Sequence, residues 1–179
     1  MCAEIVVAQY KLMSTAVDGK VNNVMIHDDL QWHRENAEKM YRAQRHQSDA
    51  LTSQQELEVN MKACNHMALF LQWAIDNDLM SENVDAVLVK KVADGDMKPH
   101  TYLVKHLNGQ LTDEMFAAGM DAFMSYYYGD LFFDDYTDVC VNEKRPLYSF
   151  ISDEAQYSSL AGKISEAFSE FFSDINEEE

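Results

Sequence analysis

Between Met67 and Ile75 only Gln72 is polar. A helix with that composition has no wet face to turn outward, so the rest of the chain must surround it. The run is also far too short to cross a bilayer. It lies inside a longer helical pattern: Leu57, Met61, Cys64, Ala68, Leu71 and Ile75 recur at three-to-four spacing, which predicts one helix over about 53–77. Thr52-x-x-Gln55 and Ser53-x-x-Glu56 each fit a reciprocal capping box at its start. The expectation is a central buried helix with Met67, Phe70, Leu71 and Trp73 in the core.

The flanking sequence supplies the helices to wrap it. Asp28 or Asp29 can cap a helix over Leu30–His46, which holds neither Gly nor Pro. Ser81 opens a segment that runs to Ala93 and ends at Gly95. Pro99 suits the first turn of a short helix that Asn108-Gly109 closes. Thr112 precedes Phe116, Met120, Phe123 and Tyr127 at helical spacing, and Gly129 breaks or bends the chain after them. Leu131–Val139 reads as a short helix and Val141–Phe150 as a loop or short strand. A last helix covers Glu154–Ser173. Near the start, Val17-Asp18-Gly19-Lys20 is a turn signal for a short hairpin. Two prolines and six glycines in 179 residues favour helices over a turn-rich sandwich. The fold class is therefore mainly α, a single-domain helical bundle over 1–176, with 177–179 a frayed acidic tail.

Charge narrows the function. The net charge is −17, and residues 106–179 carry −13 of it together with 14 of the 20 aromatics. Nucleic acid and anionic lipid both need a basic footprint, so neither is an expected partner. Three cysteines, Cys2, Cys64 and Cys140, make no disulfide framework. No basic, apolar leader opens the chain. A cytoplasmic protein without a membrane partner is expected.

A search for chemistry finds no complete motif. Phosphate loops, GxSxG and HExxH are all missing. Asp94-Gly95-Asp96 fails as a calcium loop, because Lys98 and Pro99 follow where a ligand and the turn glycine belong. His33-Arg34-Glu35 has the H-x-E form of zinc deaminases without the P-C-x-x-C partner. Cys64 and His66 point to different faces of a helix. His66 reads as a hydrogen-bond donor inside the core, and Cys64 as a buried, inert thiol. The expectation is no enzyme, no catalytic residue, no metal and no cofactor. Were a metal to be found, His33 and His66 are its first candidates.

The remaining signal is Tyr126–Asp138, with four tyrosines, two phenylalanines and four aspartates in thirteen residues. Three consecutive tyrosines cannot share one helical face. Tyrosine anchors interfaces well, and rim carboxylates speed association with a basic partner. Tyr126, Tyr127, Asp130, Asp134, Asp135, Tyr136 and Asp138 are the expected partner-binding residues.

His66-Met67-Ala68-Leu69-Phe70-Leu71-Gln72-Trp73-Ala74-Ile75-Asp76-Asn77-Asp78-Leu79 resembles the signature helix of a family of small uncharacterised bacterial proteins. Asp28-Asp29-Leu30-Gln31-Trp32-His33 resembles that family's Asp-Asp-x-x-Trp-His segment, and Phe133-Asp134-Asp135-Tyr136 part of its tyrosine-rich stretch. The resemblance covers about 28–150. Here the stretch between His33 and His66 is longer, and Asp78 replaces a glycine. The family resembles immunity proteins of bacterial toxin systems. The resemblance implies a protein that binds and occludes a cognate toxin domain with a basic surface, one acting on nucleic acid or nucleotides. The alternatives are a nucleic-acid mimic that inhibits a DNA-binding enzyme and, third, a metal-dependent enzyme using histidines and carboxylates.

Overall fold

Helix α1 (Leu30–Arg45) starts where the caps place it: Asp29 Oδ1 accepts a hydrogen bond from the Gln31 amide at 2.8 Å. The structure, a computed structural model, describes residues 24–177, with side chains through Ser173. The hairpin expected at Asp18-Gly19 and the last two residues of the acidic tail lie outside the described residues.

Ahead of α1, strand β1 (Ile26–Asp29) pairs antiparallel with β2 (Gln110–Thr112). The register shifts between Ile26 and Asp28, an irregularity of the kind that re-aims a side chain. The Leu30 amide then donates to the Gly109 carbonyl at 2.8 Å. Gly109 has φ 73°, and a Cβ there would meet Leu30 Cβ at 3.0 Å. This close approach pins the start of α1 against β2, and only glycine makes it without strain.

The long central helix is two helices. α2 (Ser53–Ala63) carries the reciprocal box between Thr52 and Gln55. α3 (Asn65–Asp76) follows after one joint residue, Cys64, with φ −98° and ψ 18°. The periodicity across 53–77 is real, because the Cys64 amide still bonds Asn60 O and the Ala68 amide Cys64 O. The joint departs from helical geometry at one residue without interrupting the apolar pattern. α3 is surrounded, and ten of its twelve residues are buried. Met67, Phe70 and Leu71 are fully enclosed and Trp73 is 2% exposed.

Helices α4 (Ala86–Ala93), α5 (Pro99–His106) and α8 (Glu154–Glu177) pack on α3, while α1 packs along α2. Asp85 caps α4, accepting from the Val87 and Leu88 amides, and Ser81 instead closes a turn onto Asn83. A carboxylate one residue before the helix outcompetes a hydroxyl farther upstream.

Thr112 precedes only a 3-10 turn (Asp113–Met115). Gly119, at φ 89°, sets up α6 (Met120–Phe123), which runs into a π-helical turn (Met124–Tyr128). Gly129 stays helical, and the bend falls at Leu131 before α7 (Phe132–Cys140). The described residues thus form one mainly helical domain of eight α-helices with a two-stranded sheet. None of their helices is long and apolar enough to cross a membrane.

Candidate metal centre

Three elements meet at the N-terminal end of α3. Asp28 comes from β1, His33 from the first turn of α1, and His66 from the first turn of α3. His33 Nε2 donates to Asp28 Oδ1 at 2.8 Å, and His66 Nε2 donates to Oδ2 at 2.9 Å. The imidazole rings stand edge to face, 4.5 Å between centroids. One ligand atom from each residue lies within 4.8 Å of the other two.

Further groups hold the carboxylate in place. The Asp29 amide donates to Oδ1 at 2.8 Å and the Tyr128 hydroxyl to Oδ2 at 2.8 Å. Tyr128 ends the π-helical turn, and such a turn inside a helix frequently marks a functional position. On its other side, His33 Nδ1 is 2.8 Å from the Tyr148 hydroxyl. Phe133 stands edge-on to His66 at 5.4 Å and is 37% exposed.

Burial is graded across the cluster. The His66 side chain is 2% exposed, Asp28 9% and His33 18%. His33 is the most exposed of the three, with Tyr148 beside it, and Phe133 flanks His66.

Electrostatics follow from this geometry. Burial pushes the Asp28 carboxyl up, but the hydrogen bonds from His33 and His66 outweigh it. Its pKa ends well below the usual carboxylate range, so the group is ionised. Burial holds the His66 imidazole below its ordinary value, with only partial compensation from Asp28. Burial, reinforced by Asp28, raises the Tyr128 phenol far above its usual value. An ionised carboxylate and a neutral imidazole are the states that bind metal.

The two carboxylate–imidazole contacts, one to each Asp28 oxygen, come near the separation an ion needs, while the set as a whole spans up to 4.8 Å. A tetrahedral ion with nitrogen and oxygen ligands at about 2.0–2.1 Å needs donor atoms about 3.3 Å apart. The two carboxylate–imidazole contacts would open by a few tenths of an ångström to admit it. Two histidines and one carboxylate leave positions free for water or substrate, as in catalytic zinc and non-haem iron sites.

A second polar group backs the cluster. Asn65, beside His66, donates through Nδ2 to the hydroxyls of Tyr136 and Ser152, both at 2.9 Å. His100 Nε2 donates to Asn65 Oδ1 at 2.8 Å. Buried His100 has its pKa lowered to about 4 by desolvation.

His66 is the core hydrogen-bond donor that the sequence suggested, but the acceptor gives it a different meaning. No motif joins the three ligands: Asp28 and His33 are five apart across a strand-to-helix junction, and His66 is thirty-three further on. The two histidines were nameable as metal candidates. Their carboxylate was legible only as a helix cap, and here the cap is its neighbour Asp29.

The Tyr126–Asp138 residues are dispersed. Tyr127 is buried and donates to Asp135 Oδ2 at 2.9 Å, while Lys163 Nζ pairs with Asp135 Oδ1 at 2.6 Å. Tyr136 is buried against Asn65 and beside the His66 ring, at 5.7 Å. Tyr126, 49% exposed, stacks on Phe171 at 5.1 Å. Asp130, Asp134 and Asp138 are exposed. Cys64 is buried and its thiol is pushed up to about 12, as expected of an inert thiol.

Fold and site together define a helical protein with a buried two-histidine, one-carboxylate centre. The chain belongs to the family described as Domain of unknown function (DUF7832), whose model matches residues 26–150. Asp28, His33, His66, Tyr128 and Tyr148 all lie within that span. No curated protein and no solved structure matches the chain.

These findings correct the functional expectation. An inert immunity protein does not call for a buried Asp-His-His cluster with the geometry to coordinate an ion. The cluster is more consistent with a metal-binding or catalytic site, the reading that ranked last from sequence. The expectations of a toxin inhibitor and of a non-enzyme are withdrawn on that ground.

Proposed function

We propose that this protein is a metal-dependent enzyme whose centre is a divalent transition-metal ion held by Asp28, His33 and His66. The observation that carries the proposal is the mutual approach of three ligand atoms within 4.8 Å in a buried setting. An ion with three protein ligands and open positions acts as a Lewis acid, polarising a substrate oxygen or acidifying a water. Metal-assisted hydrolysis or hydration is the reaction class this arrangement serves. His66, neutral and enclosed, is the anchoring ligand. His33, the most exposed of the three, is the ligand nearest solvent.

A second reading has its own support. Both Asp28 oxygens and both His33 nitrogens already have protein partners, so the cluster could serve as a metal-free latch joining β1, α1 and α3. Elemental analysis of the full chain, equilibrated separately with Zn²⁺, Mn²⁺ and anaerobic Fe²⁺ and then desalted, separates the two. About one retained equivalent is expected for one of these ions, on the stoichiometry of a single three-ligand site. His33→Ala, at the exposed edge, is expected to fold and to lose that equivalent. A folded wild type that retains none of the three ions overturns the metal reading and leaves the latch.

A further inference from the structure

Tyr148 combines two features that ordinary packing does not require together. Its hydroxyl is 2.8 Å from His33 Nδ1, and its backbone is left-handed, at φ 63°. It occupies the third position of the turn Pro146–Ser149, closed by the Ser149 amide onto Pro146 O at 3.0 Å. A turn with positive φ at that position favours glycine. Holding a tyrosine there costs backbone strain, and such strain persists where the side chain is needed. The half-buried ring lies 5.9 Å from the His33 ring.

We infer that Tyr148 is a positioning residue of the centre, acting through His33 to present its Nε2 lone pair to the ion; this rests on the metal reading above. The reasoning is one of tautomers. With His33 Nε2 donating to Asp28, Nδ1 carries the lone pair and accepts from the phenol. An ion at Nε2 requires the proton on Nδ1, where it needs an acceptor. The Tyr148 oxygen is that acceptor, since a phenol oxygen can accept as well as donate. The same contact therefore serves both states by reversing its direction, and it holds the ring plane fixed while the proton changes nitrogen. Metal-bound histidines almost always give their second N–H to such a partner.

The same segment carries a second tether. Ser152 donates its amide to Asn65 Oδ1 at 3.1 Å, next to the other histidine ligand. Tyr148 thus lies four residues before a tether to α3, which helps to keep the phenol in register with the His33 ring.

The test is calorimetric titration of the full chain with Zn²⁺ and with Co²⁺, for wild type and Tyr148→Phe. The expected result is about 10–100-fold weaker binding in the variant at unchanged stoichiometry, the usual cost of losing an outer partner of a metal-bound histidine. The metal-free melting temperature should change little, because the ring is retained, and the Co²⁺ visible spectrum should shift. A measurement on the wild type alone guards against a variant that folds poorly. With zinc bound, the His33 Nδ1 proton should appear by NMR as a slowly exchanging imidazole signal with a cross-peak to the Tyr148 ring. Equal affinities in the two proteins, or a zinc-loaded wild type without that proton, overturns the inference and leaves the metal centre standing. A wild type that binds neither of these ions, nor Mn²⁺ or Fe²⁺ in the retention assay above, is a different outcome, and it overturns the metal reading together with this one.

Discussion

The two ends of α3 are built by opposite means. At the C-terminal end, Trp73 packs against Phe70, Phe123 and Phe168 at 5.4–6.0 Å, and its indole nitrogen donates to Ser165 Oγ at 2.9 Å. At the N-terminal end, Asn65 and His66 are equally buried but sit in polar networks that include Asp28, His100 and Tyr136. The first end is held by area removed from water, a sum of many small non-directional terms. The second depends on each polar atom finding its partner, and one missing partner costs more than one present contributes.

The largest expected effect tests the apolar end. Trp73→Ala should destabilise by about 3–5 kcal/mol, the usual cost of emptying an aromatic site in a packed core. Urea denaturation followed by circular dichroism measures it. A loss under about 1 kcal/mol would mean that the ring is not the keystone of that end.

The polar end should instead be sensitive to pH. His100 is neutral in the fold, with its pKa lowered to about 4 by burial, whereas an unfolded histidine titrates near 6.5. Below that higher value the unfolded chain binds a proton that the folded chain refuses. The His100 contribution to stability should therefore fall as pH drops from about 6.5 toward 4 and level off below, by an order of about 3 kcal/mol. Denaturation at stepped pH reads the slope. His100→Gln should flatten it, and an unchanged slope in that variant would assign the effect elsewhere.

Asp28→Asn preserves shape and removes the charge on which His33, His66 and Tyr128 converge. It should cost about 1–3 kcal/mol, the range for hydrogen bonds to a charged group. Metal retention should be lost at the same time, which separates this site from the apolar end, where Trp73→Ala is destabilising without removing a ligand. Retention of a full equivalent by Asp28→Asn would show that the carboxylate is not a ligand.

Tyr128→Phe is the smallest perturbation. It deletes one donor to Asp28 Oδ2, which His66 still serves, so about 1–2 kcal/mol is expected from thermal denaturation. A larger loss would point to the phenol as a keystone of the π-helical turn.

Much of the apolar half was legible in the chain. The windows around Met67–Ile75 and the spacing from Leu57 to Ile75 read out the buried helix, and Asp29, Thr52, Pro99 and Gly109 mark boundaries the fold uses. Capping and periodicity are local, so a few residues of sequence contain the whole cause. The joint at Cys64 and the π-helical turn at Met124–Tyr128 were not legible, because periodicity tolerates both. The crowded tyrosines signalled something unusual, yet the one among them whose hydroxyl reaches the cluster, Tyr128, was not among the expected binding residues.

What the sequence by itself determined is the fold class and the enclosure of α3, because hydrophobic burial depends on how many apolar residues recur at which period. What only the tertiary structure decided is the centre. Asp28, His33 and His66 belong to three elements, and nothing in their spacing announces that a strand irregularity, a helix start and a helix joint will converge. Coordination and buried hydrogen bonding depend on positions good to a fraction of an ångström. Packing, not local sequence, sets those positions.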